Sequence, residues 1–315
     1  MIKLSVIVPV YNLAEYIGPC LQSLVTQQVD FDYEIIVAND CSSDRSLEVI
    51  LSYQKQYPQM IKLINNSKNL RLAKNMQLLL THAKGQYIAY MDGDDLALPG
   101  KLQAQVDYLD EHTDTGMVYH ESEIFNSETG QSSGWYCRDY YNRQYIPTQA
   151  NISHLIKYGS FFQASSLMFR SHPHLNKVVD SRCQIILDQP FQILNAGFLN
   201  GSIDRLDTAL GKYRLHATSF GAQTLKNVSR RERVLQDQLF AIDNGHRFDV
   251  PKQIIAEGQA HYYFATAIFF LKINQPTLFK KYIQLSDING YRFDDRHQAL
   301  IKLQDNPSEA LEILS

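Results

Sequence analysis

The sequence predicts an α/β fold: a mostly parallel sheet flanked by helices, followed by a C-terminal helical appendage. Three observations lead there. Four short apolar runs alternate with four stretches of helical periodicity in about the first hundred residues. A polar or charged cluster follows each of those runs, where ligands gather in open α/β sheets. Beyond about residue 223 strand signals stop and helical patterns succeed one another.

The first unit is Leu4 to Val8, a run rich in β-branched residues, followed by Ile17, Leu21, Leu24 and Val25 at helical spacing. Glu34 to Ala38 is the second strand, and Leu47, Ile50 and Leu51 mark a helix that Pro58 ends. Ile61 to Ile64 is the third, followed by a helix with Leu72, Met76, Leu79 and Leu80 on one face. The fourth run closes in Tyr87-Ile88-Ala89-Tyr90-Met91-Asp92-Gly93-Asp94-Asp95, ahead of a helix lined by Leu102, Val106 and Leu109. Met117 to Tyr119 and Ala164 to Arg170 read as further strands, and Ile186 to Phe191 opens another helix. Later helices are expected at Arg230 to Ile242, Gln253 to Leu271, Thr277 to Leu285, His297 to Leu303 and Pro307 to Leu314. The expected division is a catalytic region over 1–222, with halves 1–105 and 106–222, and a helical region over 223–315.

Composition narrows the function. A chain of 315 residues, 44% hydrophobic, with 19 Tyr and 15 Phe, can bury a full core. Its net charge of −3 gives no overall basic field, which argues against nucleic acid as a partner. Cys20, Cys41, Cys137 and Cys183 are scattered without a C-x-x-C pair, so neither a zinc site nor a disulfide framework is expected. The N-terminal apolar run is interrupted by Tyr11, Asn12 and Glu15 and reads as a strand rather than a signal peptide. Ala265 to Leu271 is too short to cross a bilayer. A cytoplasmic protein follows, with peripheral contact at the inner face of the membrane left open.

The acidic stretch carries the chemistry. Three carboxylates within four residues either raise one another's pKa or hold a hard cation such as Mg2+ or Mn2+. Gly93 would let a ligand approach the backbone. The bland alternative is an acidic turn in which Asp95 or a neighbour caps the helix that Pro99 begins. Elsewhere Pro9, Tyr11 and Asn12 follow the first strand, and Asn39-Asp40-Cys41-Ser42-Ser43-Asp44 the second. The third is followed by Asn65 to Asn69 with Arg71, Lys74 and Asn75, where Lys74 or Arg71 could meet a diphosphate. Neither G-x-G-x-x-G after the first strand nor a P-loop is present, so phosphates must be held another way.

Ser5-Val6-Ile7-Val8-Pro9-Val10-Tyr11-Asn12, Asn39 to Asp44, Asn69 with Ala73-Lys74-Asn75, and Met91 to Asp95 together resemble the inverting glycosyltransferases of family 2. The resemblance implies the GT-A (nucleotide-diphospho-sugar transferase) fold, a sugar-nucleotide donor with UDP preferred, a divalent metal, and a glycan or lipid-linked acceptor. It further implies work in bacterial surface polysaccharide or lipid-linked oligosaccharide synthesis. By it, Asp40 pairs with the nucleotide base, Pro9, Tyr11 and Glu15 line the same pocket, Asp92 is the ribose-side acid and Asp94 the metal ligand. Asn12, Asn69, Lys74 and Gly93 are further donor-side candidates. Asp188 is the candidate base, with Asp180 its rival and helix capping the bland reading. Lys212 to Ser219 resembles the family's Tyr-Arg-x-His segment, which makes His216 a candidate at the metal or diphosphate.

Three departures stand out. Leu187 replaces a usual glutamate, Cys41 a usual glycine, and Leu70 a glycine that often follows Asn69. Two other readings therefore stand beside transfer of a sugar: a nucleotidyltransferase, which lacks its glycine-rich triphosphate loop here, and a decayed sugar-nucleotide or glycan-binding protein. Arg230, Arg231 and Arg233 could touch anionic lipid or an anionic acceptor but read rather as a solvated helix face, and Tyr262, Tyr263, Phe264, Phe269 and Phe270 read as core rather than a sugar platform.

Overall fold

The computed structural model describes residues 2–216 and 227–314. Ala217, Thr218 and Ser219, the end of the Tyr-Arg-x-His segment, lie outside the described residues, as does the expected boundary after residue 222.

The four expected β-α units are present. β1 (Leu4–Val10), β2 (Tyr33–Asn39), β3 (Ile61–Asn65) and β4 (Tyr87–Tyr90) run parallel in the order β3-β2-β1-β4. The helices between and after them are α1 (Ile17–Val25), α2 (Ser46–Gln56), α3 (Arg71–His82) and α4 (Lys101–Glu111). All of β1 is buried, so its side chains enter cores on both sheet faces. Leu4, Val6, Val8 and Val10 pack with Leu21 and Leu24 of α1 and Val106 and Leu109 of α4, whereas Ile7 packs on the opposite side with Met76 and Leu79 of α3. Each such side chain contributes roughly 1.5–3 kcal/mol when fully buried.

Beyond β4 the sheet turns mixed. β5 (Leu96–Ala97), β6 (Thr115–Asn126), β7 (Ser132–Trp135), β8 (Gln149–Ala150), β9 (Met168–Arg170) and β10 (Ser202–Leu215) extend it in the order β4-β9-β6-β10-β5, with β9 antiparallel to both neighbours. Only Met168 to Arg170 of the expected run from Ala164 is strand, because Ala164–Ser166 closes a 3-10 turn. β10 carries no clean alternation in sequence. Its pairing with β6 shifts register between Leu206 and Gly211, which scrambles the period-two signal.

α5 (Ile152–Tyr158) and α6 (Asp188–Leu199) lie before β10, and α7 (Val228–Asp243), α8 (Lys252–Lys272), α9 (Pro276–Leu285), α10 (Asp295–Lys302) and α11 (Pro307–Glu312) follow it. The later helices share one core with the sheet: Leu235, Phe264, Phe270 and Ile283 belong to the same cluster as Ile7 and Phe191. Arg231 departs from its expected solvated face. It reaches inward, donates to Thr266 Oγ1 at 3.1 Å and lies over the Phe269 ring, because α7 packs that side against α8. No helix among the described residues is long and apolar enough to cross a membrane.

Candidate active site

The ends of β1 and β2 are clasped together by the polar run Asn39 to Asp44. The N–H of Asn12 donates to Ser42 Oγ at 3.0 Å, and Asn12 Oδ1 accepts the N–H of Ser43 at 2.8 Å. Asp44 accepts the N–H of Ala14 at 2.9 Å and the hydroxyl of Ser46 at 2.5 Å. Burial works against that carboxylate's charge, yet these donors hold its pKa below the ordinary value. Cys41 turns within this loop at φ 58°, a left-handed conformation that explains why glycine is usual there.

Asp40 is held from the other side. Its Oδ1 accepts Asn66 Nδ2 at 2.9 Å and the N–H of Leu70 at 2.8 Å, and Asn66 also donates to Asn75 Oδ1 at 2.8 Å. A carboxylate fixed through one oxygen keeps a defined direction for the other. The glycine-like position after Asn69 is Arg71, at φ 66°, rather than Leu70, at φ −87°. The N–H of Arg71 donates to Asn69 Oδ1 at 2.8 Å, which closes this tight turn into α3.

The acidic stretch divides its labour. Asp95 is buried and ties three segments together, accepting Gln163 Nε2 at 2.5 Å, Ser165 Oγ at 2.6 Å and the N–H of Arg214 at 2.9 Å. Burial and the Asp94 charge push its pKa to about 7. It does not cap α4, whose N-cap is Gly100. Asp92 accepts the Tyr90 hydroxyl at 2.5 Å, and burial together with Asp94, Asp188 and Asp95 raises its pKa well above the ordinary value. Gly93 answers a packing need, since a Cβ there would meet Leu13 Cδ1 at 3.0 Å and the Pro9 carbonyl at 3.4 Å. Beneath the turn the buried Lys101 donates to the Ser165 carbonyl, and burial lowers its pKa to about 8.

Asp188 opens α6 as its first helical residue, one position inside the N-cap Leu187. Its side chain is exposed to the cleft, yet the surrounding protein wall displaces enough water to raise its pKa to about 6. The preceding loop is fixed by Asp237 of α7, whose Oδ2 accepts the N–H groups of Gln184, Ile185 and Ile186 at 3.0, 2.6 and 3.1 Å. Asp180 belongs elsewhere. Its side chain is 7% exposed, paired with Arg182 at 2.8 Å and bonded to Asn244. Despite burial, these donors hold its pKa below the ordinary value.

One cavity of about 970 Å³ is lined by Pro9, Tyr11, Asp40, Asn69, Asp92, Gly93, Asp94 and Asp188, which brings together eight of the expected residues. Asn12, Glu15 and His216 line a second cavity that shares Leu13 with the first. Lys74 is exposed on α3 and lines neither, whereas Arg71 lines the first. Tyr90, Tyr136, Tyr213, Arg214 and Arg230 also line that cavity and were not singled out from sequence as donor-site residues. Leu187 lines it too, buried at the spot where an acid was expected.

Asp94 Oδ2 stands 3.0 Å from His216 Nε2, and the Asp94 side chain is 25% exposed, open enough for an ion to reach. The pair is hydrogen-bonded at that distance, which a cation would have to replace, and ~3.0 Å is also the edge of an octahedron with ~2.1 Å bonds to Mg2+ or Mn2+. No group of three or more His, Cys, Asp or Glu suited to a metal occurs among the described residues. A cation here would need its remaining ligands from a bound diphosphate and water, a common arrangement for Mg2+.

The comparisons agree with this architecture. An uncharacterized protein of Mycobacterium tuberculosis, Rv1520, is 28% identical over 215 residues, 68% of this chain, and the chain spans 59% of that relative's length. Residues 1–349 of Staphylococcus aureus TarS, also solved with UDP-GlcNAc, superpose with a TM-score of 0.64 at 21% identity, over 99% of this chain and 88% of that one. The mannosyltransferase PcManGT of Pyrobaculum calidifontis, solved with GDP-Man and Mn2+, gives a TM-score of 0.62 at 16% identity over 98% and 86% of the two chains. Both share the fold, a central sheet flanked by helices, the GT-A arrangement expected above. The sequence model described as glycosyl transferase family 2 matches residues 5–170, more than half of the chain. The chain belongs to glycosyl transferase family 2.

Proposed function

We propose that the chain is an inverting glycosyltransferase that moves a sugar from a nucleotide-sugar, with UDP as the nucleotide, to the hydroxyl of a glycan or lipid-linked acceptor. The observation that carries this reading is that Asp40, Asp94 and Asp188 line one cavity at the carboxyl ends of β1, β2 and β4. Asp40, oriented through Oδ1, receives the base between Pro9, Tyr11 and Asn69. Asp92 lies on the ribose side. Arg71, Arg214 and Arg230 add positive charge along the diphosphate path.

Asp94 and His216 would hold a divalent cation, which when bound supplies positive charge to the departing diphosphate. Asp188 removes the proton from the acceptor hydroxyl as that oxygen bonds to the anomeric carbon and the bond to the diphosphate oxygen breaks. A single attack inverts the configuration. With its pKa near 6, Asp188 is ionised at neutral pH while remaining a better base than an ordinary carboxylate. In this reading residues 1–222 form the catalytic region and residues 223–315 a helical buttress. The enzyme works in bacterial surface polysaccharide or lipid-linked oligosaccharide synthesis at the inner face of the membrane.

The test incubates the protein with UDP-glucose, UDP-N-acetylglucosamine or GDP-mannose, Mn2+ and glycan acceptors, and follows released nucleotide and product configuration by NMR. A product of inverted configuration is expected. Failure to bind any of these nucleotides, or retention of configuration, would contradict the proposal.

A further inference from the structure

A smaller cavity of about 250 Å³ adjoins the large one and shares Tyr136, Ile186 and Asp188 with it. The remaining wall includes Gln189 and Gln192 of α6, Gln238 of α7 and Tyr262 of α8. Four lining residues carry buried polar atoms without a hydrogen-bond partner: Ser160 Oγ, Gln189 Nε2, Gln192 Oε1 and Gln238 Oε1. Native proteins leave few such atoms, so a cluster of them around one cavity asks for a ligand.

The two cavities differ in charge. Among the described residues, Arg71, Arg214 and Arg230 line the large cavity, whereas neither lysine nor arginine lines the small one. Its only carboxylate among the described residues is Asp188, at the boundary. A phosphate or carboxylate placed there would lose hydration and face a carboxylate, with no lysine or arginine in the cavity wall to offset it; Arg231 acts on Tyr141 and Tyr262 from outside that wall. Amides and a hydroxyl both donate and accept, as sugar hydroxyls do, and tyrosine rings offer apolar faces to the C–H side of a ring.

We infer that the small cavity is the acceptor subsite and that it takes an uncharged polyhydroxylated unit, a sugar ring or an alditol, presenting one hydroxyl to Asp188. This rests on the large cavity being the sugar-nucleotide site. It gives the C-terminal helices a part in choosing the acceptor, because Gln238 and Tyr262 come from α7 and α8. Any charged or lipid portion of the acceptor lies outside this cavity.

The experiment uses the full chain with Mn2+. Calorimetry first measures UDP-glucose and UDP-N-acetylglucosamine binding. Nucleotide release is then followed with methyl glycosides and ribitol, and with glucose 6-phosphate and ribitol 5-phosphate. Neutral acceptors should accelerate release, with kcat/KM about tenfold or more above their phosphorylated counterparts. Gln192→Leu and Gln238→Leu should each raise the acceptor KM about tenfold while the nucleotide Kd stays within about twofold. Circular dichroism monitors folding, and the half-buried Gln238 carries the test if Gln192→Leu misfolds. Preference for a phosphorylated acceptor, no acceleration by any neutral one, or a parental acceptor KM in the variants overturns the inference. Absence of nucleotide binding instead overturns the donor-site reading, and this inference with it.

Discussion

The Asp237 carboxylate accepts the backbone N–H of Ile185 at 2.6 Å, and the same oxygen also takes the N–H groups of Gln184 and Ile186. One side chain of α7 therefore fixes the loop that delivers Asp188 to the cleft. Hydrogen bonds to a charged acceptor are worth about 1.5–3 kcal/mol each, and a buried N–H left unmet costs further. Asp237→Ala should lower stability by about 2–4 kcal/mol, read from urea unfolding, and reduce kcat more than it changes nucleotide affinity. Parental stability and kcat together would show that the loop is held by other contacts.

The pH profile follows from Asp188. A base must be deprotonated to act, so transfer should rise with pH through about 6 and level off above it. Stability runs the other way. A carboxyl whose folded pKa is raised binds more protons folded than unfolded, so its contribution is greatest below the unfolded value and falls as pH rises toward about 6. Asp188→Asn should therefore match the parent's Tm near pH 4 and exceed it at pH 7. Equal Tm values at both pH values would mean that the wall around Asp188 does not penalise its charge.

The Asp94–His216 pair predicts metal-linked donor binding. Asp94→Ala and His216→Ala should each weaken UDP binding in Mn2+ and leave the residual binding in chelator unchanged. Calorimetry with and without Mn2+ decides this. Equal metal-dependent gains in parent and variants would place the cation on other residues.

Cys41 offers a test of backbone strain. A non-glycine residue in the left-handed region costs roughly 1–2 kcal/mol, and the added chain entropy of glycine offsets about half of that. Cys41→Gly should stabilise the protein by about 0.5–1 kcal/mol in urea unfolding, with nucleotide affinity unchanged. A loss of stability would mean that the thiol makes a contact that outweighs its strained φ.

What could be read from the chain depended on how far apart the cooperating residues lie. The first four β-α units are legible because Leu4 to Val8 and the runs after it declare their periods locally. Asp40, Asp94 and Asp188 meet in one cavity because each follows a strand or opens a helix, a positional rule that a sequence can express. Tyr136 gave no such signal, and although Tyr213 lies in the Lys212 to Ser219 segment and Arg230 opens an expected helix, their place in the cavity depends on the pairing of β10 with β6 and the packing of α7. Arg231 looked solvated because a helix face shows its partner only after folding. Leu70 was one residue from Arg71, where the positive φ lies, because the turn is set by Asn69 rather than by spacing.

In the proposed reaction Asp188 acts on an acceptor while the remaining carboxylates and arginines of the same cleft hold the donor. The direct measurement is the single-turnover rate of sugar transfer by Asp188→Asn, paired with its UDP-sugar Kd. The rate should fall by about 10²–10⁴ while Kd stays close to the parent's. A parental rate in a variant that binds the nucleotide normally would contradict the account.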